Sequence, residues 1–284
     1  MTNKLPLLLA AAVVGALPTA ASAAQVSSPL TPYALTTTQY AQNFDTLSST
    51  ATTAAPSQLL PAGFQIAETN GTGTSANGSY VAGNGSANTG DTYSFGASGS
   101  TERALGTLAS GGLTPIAFGG IFSNGLATTI SSLTFGYTGE QWRAGTSTAA
   151  NDLLTFEYST NATSLSDGTW TRVTALDFTP IKTATTAAAL DGNADGNHLD
   201  ISSTIDNLAI AAGGTFGFRW TDSDAVGSDS ALAIDNLNIM AAVTGAGTPA
   251  PAVPEPATWG MMVLGLGMAG AALRRRQSVR IALA

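Results

Sequence analysis

From Tyr40 to Met240, apolar side chains alternate with small or polar ones in short runs bounded by Gly, Asn, Asp and Ser. A period of two puts every second side chain on one face of an extended strand, whereas a helix needs a period near 3.6. Leu133, Phe135 and Tyr137 show the pattern, as do Leu154, Phe156 and Tyr158. The runs that read as strands are Tyr40–Phe44, Phe64–Ala67, Thr92–Phe95, Arg103–Leu108, Ile116–Phe122, Ile130–Tyr137, Leu153–Tyr158, Thr169–Leu176, Thr215–Thr221 and Ala231–Ile239. Thr183–Leu190 could form a helix but reads more readily as a loop, and no repeat of fixed period suggests a solenoid or propeller. Short strands separated by turn residues predict an all-β body, a β-sandwich of jelly-roll type.

Composition sets the limits of this reading. Gly contributes 32 residues and only 10% of residues are charged, which disfavours long amphipathic helices. Such polar tracts could instead be disordered, but Phe44, Tyr80, Phe95, Phe135, Trp142, Phe156, Trp170, Phe218 and Trp220 supply a core's worth of aromatic surface. With no cysteine and one histidine, His198, thiol nucleophiles and Zn–thiolate sites are excluded and most His-based constellations are removed. Residues 24–253 hold 17 acidic side chains against five basic ones (Arg103, Arg143, Arg172, Lys182, Arg219), a net charge of −12. So acidic a surface repels nucleic-acid backbones, and nucleic acid is not an expected partner.

The two ends read as addresses. Lys4, an uncharged run from Leu5 to Ala16 and the small-x-small triplet Ala21-Ser22-Ala23 fit a secretory signal peptide over residues 1–23. After an N-terminal segment (24–39) and the body (40–241), residues 242–252 form a Gly/Ala/Pro linker. Next come Pro254-Glu255-Pro256 and Trp259, then a run from Ala257 to Leu273 without charge, then Arg274, Arg275 and Arg276. A helix over that run would be about 26 Å long, slightly short for a ~30 Å hydrocarbon core, with Trp259 and the arginines at opposite interfaces. The positive-inside bias places the body outside the cytoplasmic membrane.

This tail, residues 253–277, resembles the PEP-CTERM sorting signal of exopolysaccharide-producing Gram-negative bacteria: Pro254-Glu255-Pro256, Trp259, Met261-Met262, Gly265, Gly267, Gly270 and the three arginines, in order. The resemblance implies an exosortase partner, transient anchoring in the inner membrane with the body periplasmic, and then a cell-surface or extracellular location. Residues 278–284 extend past the usual end of such tails and read as a cytoplasmic extension. The body is also similar to a lectin-like sandwich module of bacterial secreted proteins. The stretches carrying that likeness are Tyr40–Leu47, Tyr93–Gly96, Arg103–Gly106, Tyr137–Arg143, Phe218–Asp224 and Ala233–Asn236. It implies a sandwich that accompanies catalysis elsewhere.

Within the body, Asp222, Asp224, Asp229 and Asp235 form the main candidate site. Four carboxylates on one strand–loop–strand segment could supply hard oxygen ligands to Ca²⁺. Alternatively, Asp222 and Asp224 make turn hydrogen bonds and Asp235 pairs with Arg219 or Arg143. Asp191-Gly192-Asn193-Ala194-Asp195-Gly196 copies the first half of an EF-hand loop, but its twelfth position is Ser202, so an exposed turn is favoured, with His198 a loop histidine beside it. Glu140 and Glu157 could be the paired carboxyls of a glycosidase if a cleft joined them, though no local spacing enforces it. No catalytic residue is therefore singled out. The expected function is a non-enzymatic structural or glycan-interacting component of an exopolysaccharide or biofilm matrix. The alternatives are a calcium-assisted carbohydrate-binding module and, less favoured, a glycoside hydrolase.

Overall fold

A computed structural model describes residues 31–50, 60–71 and 76–244, together with the backbone path of Gln25–Val26. In chain order the strands are β1 (Gln25–Val26), β2 (Tyr33–Leu35), β3 (Gln39–Gln42), β4 (Phe64–Asn70), β5 (Tyr80–Gly83), β6 (Asp91–Phe95) and β7 (Ala104–Leu108). They continue with β8 (Leu113–Asn124), β9 (Thr129–Ala144), β10 (Thr155–Ser159), β11 (Thr171–Arg172), β12 (Ala188–Ala189), β13 (His198–Ile205), β14 (Thr215–Asp222) and β15 (Ala231–Thr244). The first sheet has the order β1-β4-β8-β14-β10-β11, with β2 also paired to β8. The second has the order β12-β9-β15-β7-β6-β5, with β13 on β9 and β3 on β15. The described residues are all-β, apart from one short 3-10 turn, in two sheets arranged like a sandwich, as the alternation predicts.

The alternation explains where the core lies. Phe118, Trp220 and Phe156 are register partners across β8, β14 and β10. From the facing sheet, Phe135 of β9 meets Phe156 at 5.0 Å between ring centroids, and Tyr137 meets Trp220 edge-on at 5.1 Å. Phe118, Phe135, Phe156, Phe218 and Trp220 are fully buried. Each such side chain contributes roughly 1.5–3 kcal/mol over its exposed state, so this inter-sheet layer is the main source of stability. Tyr137 brings one polar atom into the layer, and its hydroxyl donates to the Leu176 carbonyl at 2.6 Å.

Alternate positions face outward, and part of each outer face is covered too. On the second sheet, Tyr93, Phe95, Ala104, Leu108, Trp142, Ala231 and Ala233 form a buried cluster with Val81 packed against it. On the first, Ala67, Ala117, Ile121, Ala162 and Leu165 cluster beneath Trp170. Loops therefore lie over both faces, and polar side chains near these clusters become buried without entering the central layer.

The observed elements refine the sequence reading. Strand β13 was not anticipated, because half of its side chains are exposed, Leu199 at 55%, and only Ile205 is buried. It is a strand through pairing, matched to β9 at eight successive positions from His198↔Glu140 to Ile205↔Leu133. The run Thr169–Leu176 is only partly extended, giving β11 and a short 3-10 turn at Thr174–Leu176. Thr183–Leu190 is a loop containing β12, not a helix. Strands β1 and β2 lie in the stretch read as an N-terminal segment, and β15 runs to Thr244, into the stretch read as linker. The signal peptide and the sorting tail with its expected membrane helix fall outside the described residues. Among the described residues no helix is long and apolar enough to cross a membrane.

Candidate metal centre

Three carboxylates sit where sheet alternation carries the outer cluster of the second sheet one step further. Glu140 is two residues before Trp142 on β9, Asp235 two after Ala233 on β15, and Glu102 two before Ala104 at the start of β7. These strands are adjacent in the order β9-β15-β7. Residues two apart share a face, so the three side chains are brought together side by side. One carboxylate oxygen from each lies within 4.8 Å of the others.

Burial makes this arrangement costly in the absence of compensation. Asp235 is 5% and Glu140 2% exposed, and Glu102 is half-buried. Glu140 Oε2 accepts from Trp142 Nε1 at 2.8 Å, Glu102 Oε2 accepts from Asn193 Nδ2, and Asp235 accepts from the Asn236 backbone N–H. Glu102 Oε1 and Asp235 Oδ1 are buried with no hydrogen-bond partner. Burial, and after it repulsion from Asp235, Glu102 and Asp191, pushes the Glu140 carboxyl up to about 8. Burial together with Glu102 and Asp45 pushes Asp235 up to about 7, and Glu102 is raised chiefly by burial.

The surrounding loops add oxygen and fix the geometry. Leu190 N–H donates to the Trp142 carbonyl at 2.8 Å, seating the 191–197 turn over the Trp142 ring. Gly192 is needed there, because a Cβ would stand 2.4 Å from Trp142 Nε1. The turn thereby delivers Asn193 to Glu102 and Asp191 within electrostatic reach of Glu140. Asp45 comes from the other side: its Oδ1 accepts the Arg103 N–H at 3.1 Å, and it follows Phe44, which holds a φ of 55°.

Two oxygens bound to one Ca²⁺ at about 2.4 Å can be at most about 4.8 Å apart, so this spread fits a single ion. The donors are all hard carboxylate oxygens. They suit Ca²⁺ better than Mg²⁺, which demands shorter bonds and a near-ideal octahedron.

The candidate residues of the sequence fall into different places. Asp235 belongs to this centre. Asp222, Asp224 and Asp229 lie elsewhere, and among the described residues no group of three carboxylates including them reaches the same closeness. Asp222 is 2% exposed, with Oδ2 accepting from Thr107 Oγ1 at 2.8 Å and Ala109 N–H at 3.1 Å. Asp229 accepts the Ala225 N–H through both oxygens, and Asp224 is exposed. Asp235 does not pair with Arg219 or Arg143; Arg219 bonds Glu157 at 2.8 Å instead. Since Phe156 and Tyr137 point into the central layer, Glu157 and Glu140 stand on opposite outer faces of the sandwich, and no cleft joins them. The EF-hand-like stretch is a turn in which Asn193 N–H bonds Asp191 Oδ1 at 3.1 Å. His198 stands opposite Glu140 in register, with its Nδ1 buried and unpartnered, outside the three-carboxylate group.

Sequence reasoning weighed Glu140 and Asp235 separately and missed Glu102. The signal was present in part: each carboxylate lies two positions from an apolar residue of the same outer face. Reading it required knowing which three strands are neighbours.

No curated protein matches the chain. Among solved structures it is similar to the K3 cleaved adhesin domain of Lys-gingipain from Porphyromonas gingivalis w83, at 12% identity. That match covers 71% of this chain and 98% of that one, with a TM-score of 0.37. It is similar too to the CBM22-1 xylan-binding domain of Paenibacillus barcinonensis Xyn10C, at 9% identity over 80% and 100% of the two chains, TM-score 0.30. A third is TmCBM61 in complex with β-1,4-galactotriose, at 8% identity over 51% and 74%, TM-score 0.28. At its C-terminus, residues 252–276 match the family model of the PEP-CTERM protein-sorting motif. The chain thus carries the sorting signal of an exported, exosortase-sorted protein.

Proposed function

We propose that this is a non-enzymatic, glycan-interacting component of an exopolysaccharide or biofilm matrix, whose sandwich is held by one Ca²⁺ bound to Glu102, Glu140 and Asp235. The reading rests on one observation above others: two buried carboxylate oxygens, Glu102 Oε1 and Asp235 Oδ1, have no hydrogen-bond partner. A buried polar atom left without a partner costs roughly 1–3 kcal/mol, and more when it is charged. A divalent cation removes both that cost and the repulsion among the three groups. Bound there, it would tie β9, β15 and the start of β7 together with the turn that covers them. In this reading the body, of jelly-roll type, faces the periplasm while Arg274, Arg275 and Arg276 hold the anchor at the inner interface. The released protein then carries its acidic sandwich into the matrix. Asp222, Asp224 and Asp229 are structural carboxylates in this scheme.

Calorimetric titration of chelator-treated protein with Ca²⁺ tests the reading and should give one site per chain. Free Ca²⁺ at a hundredfold excess over its dissociation constant should add about 2.7 kcal/mol of stability. Mg²⁺ should do markedly less. Equal melting temperatures in Ca²⁺ and in chelator would rule the site out.

A further inference from the structure

A cleft lies away from the carboxylates, where the ends of β10 and β11 meet the 207–211 loop and the start of β14. It holds about 460 Å³, within the range of roughly 300–1,000 Å³ usual for small-molecule sites. None of its thirteen lining residues is acidic or basic, although the body around it is strongly acidic. The lining instead combines an aromatic ring, hydroxyls and amides. Tyr158 is half-exposed, and its hydroxyl makes no side-chain hydrogen bond among the described residues. Asn161 Oδ1 is already engaged by Ser159 Oγ at 2.9 Å and Thr169 N–H at 2.8 Å, which leaves its NH₂ to donate outward. Asn207 is exposed and holds a φ of 59°, a conformation that Asn tolerates better than most residues.

The walls are fixed before any ligand arrives. Ile130 and Ile210 exchange backbone hydrogen bonds at 2.9 and 3.1 Å, Leu208 N–H donates to Ser131 at 2.8 Å, and Asn124 Nδ2 holds the Ile210 carbonyl at 2.9 Å. Preorganised donors and acceptors lose little freedom on binding.

The chemistry selects among ligand classes. An anionic ligand would find no cation, and a fully apolar one would leave hydroxyls and amides desolvated without partners. A pyranose or furanose ring has a C–H face for an aromatic ring and hydroxyl edges for amides and hydroxyls, which donate and accept equally well. We infer that this cleft is a binding subsite for a neutral saccharide, with Tyr158 as its ring platform and Asn161 and Asn207 as its hydroxyl readers. The inference rests on the glycan-interacting reading above and adds to it the place and the charge class of the ligand.

Affinity electrophoresis of the full chain in detergent tests it, with a soluble neutral glucan and a neutral galactomannan as probes and alginate as the anionic comparison. Retardation by a neutral probe and not by alginate is expected. Tyr158→Ala should weaken it about tenfold, the loss of one ring contact. Asn207→Gly, which keeps the positive φ without strain, should weaken it several-fold with an unchanged melting temperature. Retardation that is the same in wild type, Tyr158→Ala and Asn207→Gly would overturn the cleft while leaving glycan interaction standing. Retardation by alginate alone would overturn the neutral class, and no retardation by any probe would overturn both the cleft and the glycan-interacting reading.

Discussion

Asp152 and Asp222 are buried about as deeply as Glu140 and Asp235, yet the two sets meet different surroundings. Asp222 spans the two sheets, receiving Thr107 Oγ1 and Ala109 N–H, while Asp152 receives both the N–H and the hydroxyl of Ser230 at 3.2 Å. Glu102 and Asp235 each keep a buried oxygen with nothing to accept. Clustered acid is therefore not one feature but two. Where the backbone and hydroxyls turn their hydrogens toward a carboxylate, it acts as a structural acceptor. Where three carboxylates turn toward one another, the missing partner must be a cation or a proton.

The largest separation of the two groups should come from deleting Asp222. Asp222→Ala strands a buried hydroxyl and a buried N–H that no water-facing route can satisfy, and should cost about 3 kcal/mol. Denaturant unfolding would show it, in Ca²⁺ and in chelator alike. Asp235→Asn, measured in chelator, should cost little or even stabilise, because it removes one of three repelling groups. Equal losses for the two variants would erase the distinction.

The second expectation concerns Ca²⁺ itself. Asp235→Asn and Glu102→Gln should each lose most of the roughly 2.7 kcal/mol that saturating Ca²⁺ adds. Asp224→Asn should keep all of it, since Asp224 is exposed and lies outside the three-carboxylate group. A thermal shift measured for all three variants decides which group holds the ion. Loss of the response in Asp224→Asn alone would return the site to the loop after β14.

Much of the architecture was legible in the chain because burial wrote it there. Phe135 and Tyr137, or Leu154 and Phe156, alternate since one face of their strands meets the opposite sheet. Strand β13 was not legible, since only Ile205 of His198–Ile205 is buried and the segment takes its conformation from pairing with β9. The three-carboxylate group was half legible. Asp235 and the Asp191–Gly196 turn drew notice as oxygen-rich segments, but their chain neighbours, Asp222 and Ser202, misdirected the grouping. Ligands contributed one per strand carry no local spacing, so they become visible only once β9, β15 and β7 are known to be adjacent.

The smallest effect expected is a pH dependence that belongs to the hydrogen-bonded group alone. With Ca²⁺ bound as proposed, the first centre would stay ionised; outside it burial also raises Asp91 and Asp152, and Asp222 and Asp229 are the pair to follow. Burial holds Asp222 up at about 7, and burial with Asp152 and Asp224 nearby holds Asp229 at about 7. In the unfolded chain both titrate near 4. Between those values the folded protein binds more protons than the unfolded one, so stability must fall as pH rises from about 4 toward 7. Across one pH unit just below 7, a single such group contributes about 1 kcal/mol. Asp229→Asn keeps an oxygen to accept the Ala225 N–H but cannot ionise, and its stability should decline less steeply from pH 6 to pH 7 by about that amount. Urea unfolding at the two pH values, with Ca²⁺ held in excess, measures the difference. Parallel declines for wild type and Asp229→Asn would show that Asp229 is already ionised at pH 6 in the folded chain.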